Sequence, residues 1–407
     1  MEFINSRQFI KLYDRCILLP HRSHIYYIPE LDNCTMLSHG QFFLLLIYGI
    51  VKCGAFNVGI IGGGPAGALA ALSLARRGHV VKIFEQHEDV VDETLVLSKR
   101  GMDALDRFGV KYDHKCVDIK QQLYHNGDNV EQRQTLESSS IGKNDLVKCI
   151  LDSTKDLDVD IFNTRLLTLD IDTNFAFLES GNYKYDLLIG ADGAGSKVRS
   201  TLRACNSDFD FEESIDARVF KKFEIDNEEL KSMVNYDENW GSSFHVWEGE
   251  DCVLRCPPSK DGGLSVSYIS KNYNEDFDMS KFPGIRMGKL HSKVMENKKA
   301  RVGRSTYCSH VGMGNVILMG DSAHTVCPHM EQGVNAALED SVYLDACLDD
   351  REHIGEIVNR YNTLRLDDSQ SVCKLSEMDH DSHTALKYIG NSDISYTEIL
   401  KIIMENY

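Results

Sequence analysis

A glycine-rich turn followed by an acidic residue carries the clearest chemical signal in the chain. Residues 62–67 read Gly-Gly-Gly-Pro-Ala-Gly and match the pattern G-x-G-x-x-G. In that pattern Gly62 permits a tight turn, Gly64 lets the backbone approach a pyrophosphate, and Gly67 allows close packing of the following helix. Glu85 lies about 20 residues further on, where its carboxylate can accept both hydroxyls of an adenosine ribose. These residues predict a dinucleotide site.

Two further aspartate–glycine pairs follow short apolar runs later in the chain. Asp192-Gly193 comes after residues 185–190 (YDLLIG), and Gly320-Asp321 comes after residues 315–319 (NVILM). Short apolar runs of this kind are typical of buried strands in a central sheet. Each aspartate taken alone is equally compatible with a simple turn residue after a strand. The three motifs in series instead favour one site that contacts a long dinucleotide.

The third motif has the chemistry to hold a flavin. Asp321, at the end of a strand, can accept a hydrogen bond from a ribityl hydroxyl. Pro328 then turns the chain, and residues 333–335 (Gly-Val-Asn) begin a helix. The free N–H groups and partial positive charge of a helix N-terminus suit the pyrimidine edge of a reduced flavin. The first motif is compatible with FAD or NAD(H), whereas this one favours FAD.

Composition excludes several other classes of protein and site. The net charge is −18, which is unfavourable for binding a nucleic-acid backbone or an anionic membrane. The 12 cysteines form no CxxC pair, so we expect free thiols, with neither a metal site nor a disulfide framework. His324 and His329 flank the third motif, and we interpret both as structural. We nominate no side chain as a catalytic acid or base.

The elements that must position these motifs are readable from hydrophobic periodicity. A strand at 57–61, a helix at 66–78 and a strand at 80–84 form a β-α-β unit around the first motif. Further helices are predicted at 98–108 and 144–151. Residues 242–247 and 263–269 alternate in the manner of antiparallel strands, and residues 333–348 return to helical spacing.

The second and third motifs resemble those of the class A flavoprotein monooxygenases, the single-component aromatic hydroxylases. The similar segments are 185–199 (YDLLIGADGAGSKVR) and 314–340 (GNVILMGDSAHTVCPHMEQGVNAALED). Within that family the kynurenine 3-monooxygenases are the most similar group. Residues 97–101 (LSKRG), 162–167 (FNTRLL) and 245–247 (HVW) carry that finer resemblance.

The resemblance implies a set of FAD contacts that extends beyond the motifs. Lys143 stands where the family usually has arginine, so it keeps the charge near the phosphates without the bidentate fork. Motifs and resemblance together nominate the following cofactor-binding residues: Gly62, Gly64, Ala66, Gly67, Glu85, Val96, Lys143, Leu166, Asp192, Gly193, Asp321, Pro328, Gly333, Val334 and Asn335.

The fold implied is α/β. A Rossmann-like FAD-binding domain of the glutathione-reductase type is interleaved with a smaller, mainly antiparallel β-sheet substrate domain. Residues 1–56 are interpreted as an N-terminal extension of unclear role. The FAD-binding domain takes 57–205, with substrate-domain insertions, and 305–350, which carries the Gly-Asp motif and the flavin helix. The substrate domain takes 206–304, and 351–407 forms a C-terminal helical segment.

Three positions depart from the family pattern. Gln122 stands where the family has the arginine that pairs the amino-acid carboxylate of kynurenine, and an amide cannot neutralise that charge. Glu331 replaces a glycine beside the flavin, where a carboxylate opposes the charge of a reduced flavin. Asp379 replaces an asparagine of the substrate pocket. Gln122 and Asp379 are therefore the candidate substrate residues.

The resulting hypothesis is an FAD-dependent monooxygenase. It would use NAD(P)H as a transient co-substrate, together with O2, to hydroxylate a small aromatic substrate, with L-kynurenine to 3-hydroxykynurenine as the leading reaction. One alternative is another aromatic substrate; a second is an FAD-binding protein that has lost hydroxylase activity. A plain NAD-dependent dehydrogenase is disfavoured by the second and third motifs.

The expected location is the cytoplasm, and the alternative is the cytosolic face of the mitochondrial outer membrane. The most apolar stretch, residues 42–51 (FFLLLIYGIV), is half as long as the roughly 20 residues that a spanning helix needs. We therefore interpret it as a packed strand or helix. The hydrophobic C-terminal tail that anchors family members is not expected here.

Overall fold

The structure is a computed structural model, and it describes most of the chain from residue 55 onward. The described ranges are 12–13, 16–18, 25–27, 55–87, 93–126, 129–133, 137–233, 240–249, 251–271, 292, 301–348, 353–378 and 388–405. The apolar stretch 42–51 and the candidate substrate residue Asp379 lie outside these ranges.

The strands and helices follow the predicted order. The strands are β1 (Leu12–Tyr13), β2 (Cys16–Leu18), β3 (Ile25–Tyr27), β4 (Asn57–Ile61), β5 (Val80–Glu85), β6 (Thr94–Ser98), β7 (Val117–Asp118), β8 (Gln121–Asn126), β9 (Asn129–Arg133), β10 (Ser138–Gly142), β11 (Val159–Asn163), β12 (Leu166–Asp170), β13 (Phe175–Leu178), β14 (Gly181–Lys184), β15 (Leu187–Gly190), β16 (Phe211–Ile225), β17 (Ser243–Glu248), β18 (Cys252–Cys256), β19 (Leu264–Ser270), β20 (Arg301–Cys308), β21 (Gly312–Met313) and β22 (Val316–Leu318). The helices are α1 (Pro65–Arg76), α2 (Lys99–Arg107), α3 (Lys143–Asp152), α4 (Lys197–Cys205), α5 (Asn227–Met233), α6 (Asp321–His324), α7 (Gly333–Cys347), α8 (Ile354–Glu377) and α9 (Tyr396–Glu405).

The central sheet brings the three motifs to one edge. Its order is β11-β5-β4-β15-β22-β21, and all neighbours are parallel except the last pair. Ile61 lies level with Gly190, and Gly190 lies level with Leu318. The turns after β4, β15 and β22 therefore leave the sheet side by side. Ligands of open α/β sheets bind at this carboxyl edge.

Helix α1 packs tightly against this sheet because its buried face is built from small side chains. Residues Ala66 to Ala75 are all buried, and most of them are alanine or leucine. Gly78, with φ +85°, turns the chain after α1 and into β5. The helices predicted at 66–78, 98–108 and 144–151 correspond to α1, α2 and α3, with ends that differ by one or two residues.

A second, seven-stranded sheet has the order β20-β16-β19-β18-β17-β8-β9. Its neighbours are antiparallel except for β17 and β8, which run parallel. Strands β8 and β9 come from an early excursion of the chain, well before the other five. The predicted fold class, an α/β unit interleaved with a mainly antiparallel sheet, is confirmed.

The two faces of the seven-stranded sheet bury different apolar clusters. One cluster includes Trp247, Leu254 and Val266. The other includes Phe244 and Val253 and is continuous with Val96 of β6, so this face of the sheet is turned towards β6. Successive side chains of a strand point to opposite faces, which explains how adjacent residues enter different clusters.

Helices α8 and α9 pack together at the C-terminal end through Val372, Ile399 and Ile403, all of them buried. Within the described ranges, none of the helices combines the length and apolar character that crossing a bilayer requires.

Candidate functional site

The turn after β4 forms a cradle that only glycine can build. Gly62 has φ +103°, and a Cβ there would lie 2.2 Å from the Ala191 carbonyl oxygen. A Cβ on Gly67 would lie 2.0 Å from the carbonyl oxygen of Gly62. Gly64 has no neighbour within 4 Å of its Cβ position, so its backbone faces open space. The glycines at 62 and 67 close the turn, and Gly64 leaves it accessible.

Glu85 holds this cradle through hydrogen bonds to the main chain. Its Oε2 accepts a hydrogen bond from the Gly63 N–H at 2.6 Å, and its Oε1 accepts one from the His87 N–H at 2.9 Å. Each carboxylate oxygen retains a second lone pair for an approaching hydroxyl. Helix α1 begins beside it with Pro65, which leaves the next N–H groups of the first turn free of helical partners.

Asp192 links the second motif to the third. Its Oδ1 accepts hydrogen bonds from the hydroxyls of Ser196, at 2.6 Å, and Ser322, at 3.2 Å. Its Oδ2 accepts the N–H of Lys197 at 2.7 Å, at the start of α4. The carboxylate is thus engaged within the protein, and it fixes the two loops against each other.

Asp321 begins α6 directly after Gly320, which has a positive φ of +58°. Asp321 is exposed and lines a cavity at this edge. Desolvation by the protein around this carboxyl raises the pKa of Asp321 above its ordinary value, while the nearby Lys143 and His324 oppose the rise. A carboxyl group in such surroundings is suited to hydrogen bonding with a sugar hydroxyl.

A buried ion network supports the Gly320 turn from behind. Asp340 accepts the Gly320 N–H at 2.6 Å, the Nε–H of Arg365 at 2.7 Å, and a hydrogen bond from His324 Nε2 at 2.9 Å. Burial alone would raise the pKa of Asp340, but His324 and Arg365 lower it below its ordinary value. The carboxylate is therefore charged and fixes the turn.

Asn335, on the first turn of α7, lies behind the cavity wall rather than in it. Its Oδ1 accepts the Ser98 N–H at 3.0 Å. Its side-chain amide donates to the carbonyl oxygens of Val96, at 3.0 Å, and Glu331, at 2.9 Å. The side chain is completely buried. Asn335 therefore ties β6 and the turn at Glu331 to the start of the helix.

The backbone conformation at Glu331 shows why the family pattern has glycine at this position. It has φ +53°, in the left-handed region that glycine adopts most readily, and its N–H bonds the Pro328 carbonyl oxygen at 3.0 Å. A side chain at such a position costs about 1 kcal/mol. Its side chain also lines the cavity, close in sequence to Gly333. A glycine here would relieve the strain and remove a carboxylate from the wall.

The three motifs enclose one cavity of about 1220 Å³. Gly67 and Asn335 do not contribute to its wall, since they lie beneath the cradle and behind β6. The predicted cofactor residues that line it are Gly62, Gly64, Ala66, Glu85, Val96, Lys143, Leu166, Asp192, Gly193, Asp321, Pro328, Gly333 and Val334.

Two cations of the seven-stranded sheet line the wall and were not predicted from the sequence. Lys222 projects from β16 of the second sheet, and its Nζ donates to the Thr94 carbonyl oxygen of β6 at 2.7 Å. Arg301, at the start of β20, also lines the cavity. Neither belongs to a motif, and only the packing of the second sheet against β6 brings them to the site.

Gln122 lies on β8, half-buried, and its Oε1 accepts the Tyr124 hydroxyl at 3.3 Å. Tyr124 belongs to the apolar cluster that includes Val96, so Gln122 shares the face turned towards the cavity. Arg133 lies directly opposite Gln122 on β9, but it forms a bidentate pair with Glu131 at 2.8 and 2.9 Å.

Residues 55–350 match the family model described as an FAD binding domain. The chain belongs to this family. The fit is physical as well, because a dinucleotide pyrophosphate needs a cradle without Cβ atoms beside a helix N-terminus, and Gly62 and Gly64 provide one. FAD is therefore the cofactor of this protein.

Curated relatives agree with this assignment. The kynurenine 3-monooxygenase of Salinispora arenicola is 27% identical over 339 residues, which is 72% of each chain. The kynurenine 3-monooxygenase of Candida albicans is 26% identical over 363 residues, covering 79% of this chain and 78% of that one. The resemblance to the class A flavoprotein monooxygenases is confirmed.

Solved structures support the fold. A tetrameric form of 2-methyl-3-hydroxypyridine-5-carboxylic acid oxygenase superposes with a TM-score of 0.68 at 18% identity, over 85% of this chain and 96% of that one. PqsL of Pseudomonas aeruginosa, in complex with 2-aminobenzoylacetate, gives 0.65 at 17% identity, over 86% of this chain and all of the other.

Proposed function

We propose that this protein is an FAD-dependent monooxygenase that uses NAD(P)H and O2 to hydroxylate an aromatic ring, with L-kynurenine as the leading substrate. The observation that carries the proposal is the meeting of three motifs around one cavity, next to a sheet face rich in apolar side chains. Bound FAD would supply both the electron transfer and the activation of oxygen. The chain would supply binding, orientation and exclusion of water.

The cofactor would be held along the carboxyl edge of the central sheet. Gly62, Gly64 and the N-terminus of α1 would take the pyrophosphate, and Glu85 would take the adenosine ribose. Asp321 would take a ribityl hydroxyl. Gly67 and Asn335 would act from behind, by closing the turn and fixing the start of α7. The remaining proposed contacts are Ala66, Val96, Lys143, Leu166, Asp192, Gly193, Pro328, Gly333 and Val334.

Helix α7 would perform the main electrostatic task. Its N-terminal N–H groups at Gly333 and Val334 would stabilise negative charge at the pyrimidine edge of the reduced cofactor. No protein side chain is proposed as a catalytic acid or base. The seven-stranded sheet would close the site against water, because it presents Phe244 and its apolar neighbours on the face turned to β6.

We further propose a division of labour along the chain. Segments 57–205 and 305–350 would form the FAD-binding domain, 206–304 the substrate domain, and 351–407 a helical support. Strands β8 and β9, which belong to the seven-stranded sheet, would be the substrate-domain insertion within the first segment.

The choice of L-kynurenine rests on the relatives that carry that name and on the segments at 97–101 and 245–247. Another aromatic substrate is the alternative, because Gln122 supplies no positive charge. A second alternative, an FAD-binding protein without hydroxylase activity, is favoured by one observation: the acidic residue Glu331 is among those that line the cavity.

An absorbance spectrum and an NADPH oxidation assay test the proposal together. The purified protein is expected to be yellow, and L-kynurenine is expected to accelerate NADPH oxidation and to yield 3-hydroxykynurenine by mass spectrometry. Protein that stays colourless after FAD addition would contradict the whole proposal. A yellow protein that other aromatic acids stimulate, but kynurenine does not, would retain the monooxygenase and change the substrate. Absence of stimulation by any of them would favour the non-catalytic alternative.

Gln122 gives a sharper test of the substrate face. Gln122→Arg is expected to lower the dissociation constant of L-kynurenine by about three- to tenfold, because a guanidinium forms charge-assisted hydrogen bonds that an amide cannot form. Titration of the flavin absorbance measures this change. An unchanged dissociation constant would remove position 122 from the substrate site.

A further inference from the structure

Arg255 is a buried cation without a carboxylate partner among the residues that the structure describes. It lies on β18 and is only 8% exposed, and its Nε has no hydrogen-bond partner. Among the residues that the structure describes, no carboxylate forms an ion pair with its guanidinium. Its one close contact of note is the Phe244 ring, whose centroid lies 5.3 Å from the guanidinium carbon.

The other buried arginines of the described chain show how unusual this is. Each of them forms an ion pair with a carboxylate, as the low dielectric of an interior requires. These pairs are Arg100 with Glu339, Arg199 with Glu213, Arg218 with Asp216, and Arg365 with Asp340. Arg255 has the same burial without the compensating charge, so its position favours an anion from outside the chain.

The register of the second sheet directs Arg255 towards the substrate face. Arg255 lies opposite Val246, on the same face as Val253 and Phe244. Phe244 in turn lies directly opposite Gln122. Because the guanidinium sits over the Phe244 ring, the side chain reaches diagonally back across the sheet towards position 122.

The same row of residues leads to the cavity wall. Ser267 lies opposite both Arg255 and Lys222 on its two neighbouring strands. Lys222 lines the cavity. Val96 belongs both to the wall and to the apolar cluster that contains Phe244. Arg255 is thus on the sheet face that adjoins the site, two strands from a residue of its wall.

We propose that Arg255 binds the carboxylate of an aromatic acid substrate and supplies the positive charge that position 122 lacks. The inference rests on the proposed function, and it narrows the substrate class to aromatic acids. The ring of the substrate would pack on the apolar side chains around Phe244. Its carboxylate would form charge-assisted hydrogen bonds with the guanidinium.

Substitution of Arg255 tests the proposal in the FAD-loaded protein. Arg255→Met is expected to raise the dissociation constant of L-kynurenine by about tenfold or more. The binding of 2-aminoacetophenone, which has the same ring without the amino-acid carboxylate, is expected to change less than about twofold. Arg203→Gln is the control, because Arg203 lies on α4 away from the cavity and forms an exposed ion pair with Asp210, and it should leave both ligands unaffected. Arg133 is the rival cation, because it lies directly opposite Gln122 and its guanidinium carbon is 3.8 Å from the centroid of the Tyr124 ring. A loss of kynurenine binding in Arg133→Gln, with none in Arg255→Met, would overturn the assignment.

Stability separates a binding role from a structural one. If Arg255 serves a ligand, Arg255→Met removes an uncompensated buried charge, and the ligand-free protein should melt at the same temperature as the wild type or higher. A lower melting temperature with unchanged kynurenine affinity would make Arg255 structural. Arg255→Lys keeps the charge without the fork, and an intermediate affinity is expected from it.

Benzoate and benzamide keep the test independent of kynurenine. If the wild type binds no kynurenine, the proposed substrate fails, yet the anion site still predicts that benzoate binds more tightly than benzamide and that Arg255→Met abolishes the difference. Equal binding of both probes by the wild type would overturn the inference while leaving FAD binding intact.

Discussion

At the carboxyl edge of the central sheet the cavity is bounded largely by main chain, whereas the face of the seven-stranded sheet presents side chains. The cradle uses glycines and the N–H groups of α1, and its polar side chains are paired, as Glu85 is with Gly63. The sheet face uses residues on alternate positions, and it leaves Arg255 unpaired. The first region is built to bind one invariant cofactor, and the second can change its ligand by single substitutions.

The two regions also differ in what a substitution can do. Around the cradle, the backbone closes within 2.2 Å of added Cβ positions at 62 and 67, so a side chain disturbs the fold itself. On the sheet face, a new side chain enters a space shared with the ligand. It is therefore expected to change the affinity for the substrate more than the free energy of unfolding. Four further predictions test this contrast, from the largest expected effect to the smallest.

Gly67→Ala should abolish FAD binding and destabilise the protein. The new Cβ would lie 2.0 Å from the Gly62 carbonyl oxygen, so the turn or the helix must move. We expect FAD affinity to fall by at least about 100-fold, measured by fluorescence titration of the apoprotein. Gly64→Ala is the control, because its Cβ meets nothing within 4 Å; it should weaken FAD binding while the apoprotein melts normally. Equal melting temperatures of the Gly67→Ala and Gly64→Ala apoproteins would contradict the claim that a side chain at position 67 disturbs the fold.

Asp340→Asn should cost about 3–5 kcal/mol in the free energy of unfolding, because it leaves Arg365 as a buried charge with less compensation. Urea denaturation measures the loss. The exposed pair of Arg165 and Glu179 provides the control, and Glu179→Gln should cost less than about 1 kcal/mol. A small effect at Asp340 would mean that the network behind Gly320 does not hold the turn.

The lowered pKa of Asp340 sets a pH window for the same interaction. A carboxyl group whose pKa is lower in the folded state stabilises the protein above its unfolded pKa, and the stability is lost as the pH falls through the folded value. Asp340→Asn should therefore flatten the acid limb of the stability profile below about pH 4.

A histidine pair on the opposite face of the seven-stranded sheet predicts a second pH effect. His245 Nε2 lies 3.2 Å from the Trp240 carbonyl oxygen and must carry a proton, so its Nδ1 accepts from His125 Nε2 at 3.0 Å. Burial lowers the pKa of His125 to about 4 and that of His245 to about 3. Both rings are neutral in the folded protein and stack with Trp247.

The unfolded protein binds protons at these histidines below about pH 6.5, whereas the folded protein binds them only below about pH 4. The free energy of unfolding therefore decreases as the pH falls from about 6.5 to about 4. His125→Phe retains an aromatic ring and should reduce the slope by up to about 1.4 kcal/mol per pH unit. Urea denaturation between pH 7 and pH 4.5 measures it. An unchanged slope would contradict the assignment of neutral rings.

Glu331→Gly should produce the smallest effect on stability, a gain of about 1 kcal/mol from relief of the left-handed conformation. It should also accelerate reduction of the cofactor by NADPH, because a carboxylate leaves the cavity wall. Asn174→Gly is the matched control, since Asn174 has φ +57° on a surface turn away from the cavity. Faster reduction in both variants would show that removal of the carboxylate is not the cause.

Local pattern was sufficient for the cofactor side of the molecule. The β-α-β unit and the helix beginning at Gly333 were placed within a few residues, because apolar periodicity and glycine act on neighbouring positions. The sequence placed Asn335 among the cofactor contacts, yet its side chain lies behind the wall, since its partners Ser98 and Val96 are over 200 positions away. The domain boundaries and the individual contacts to FAD stay predictions.

What the sequence determined by itself is the FAD cradle, because the positive φ of Gly62, the close approach of Gly67 to Gly62 and the bond from Gly63 to Glu85 all lie within one β-α-β unit. What only the tertiary structure decided is the isolation of Arg255. Arg255 and Phe244 lie on neighbouring strands of one hairpin. Whether a carboxylate joins them depends on β8 and β16, which come from other parts of the chain and contribute Gln122 and Lys222 to this face. The backbone conformation of a short turn leaves a pattern in the local sequence. The pairing of a buried charge leaves no such pattern, because it depends on the packing of separate strands.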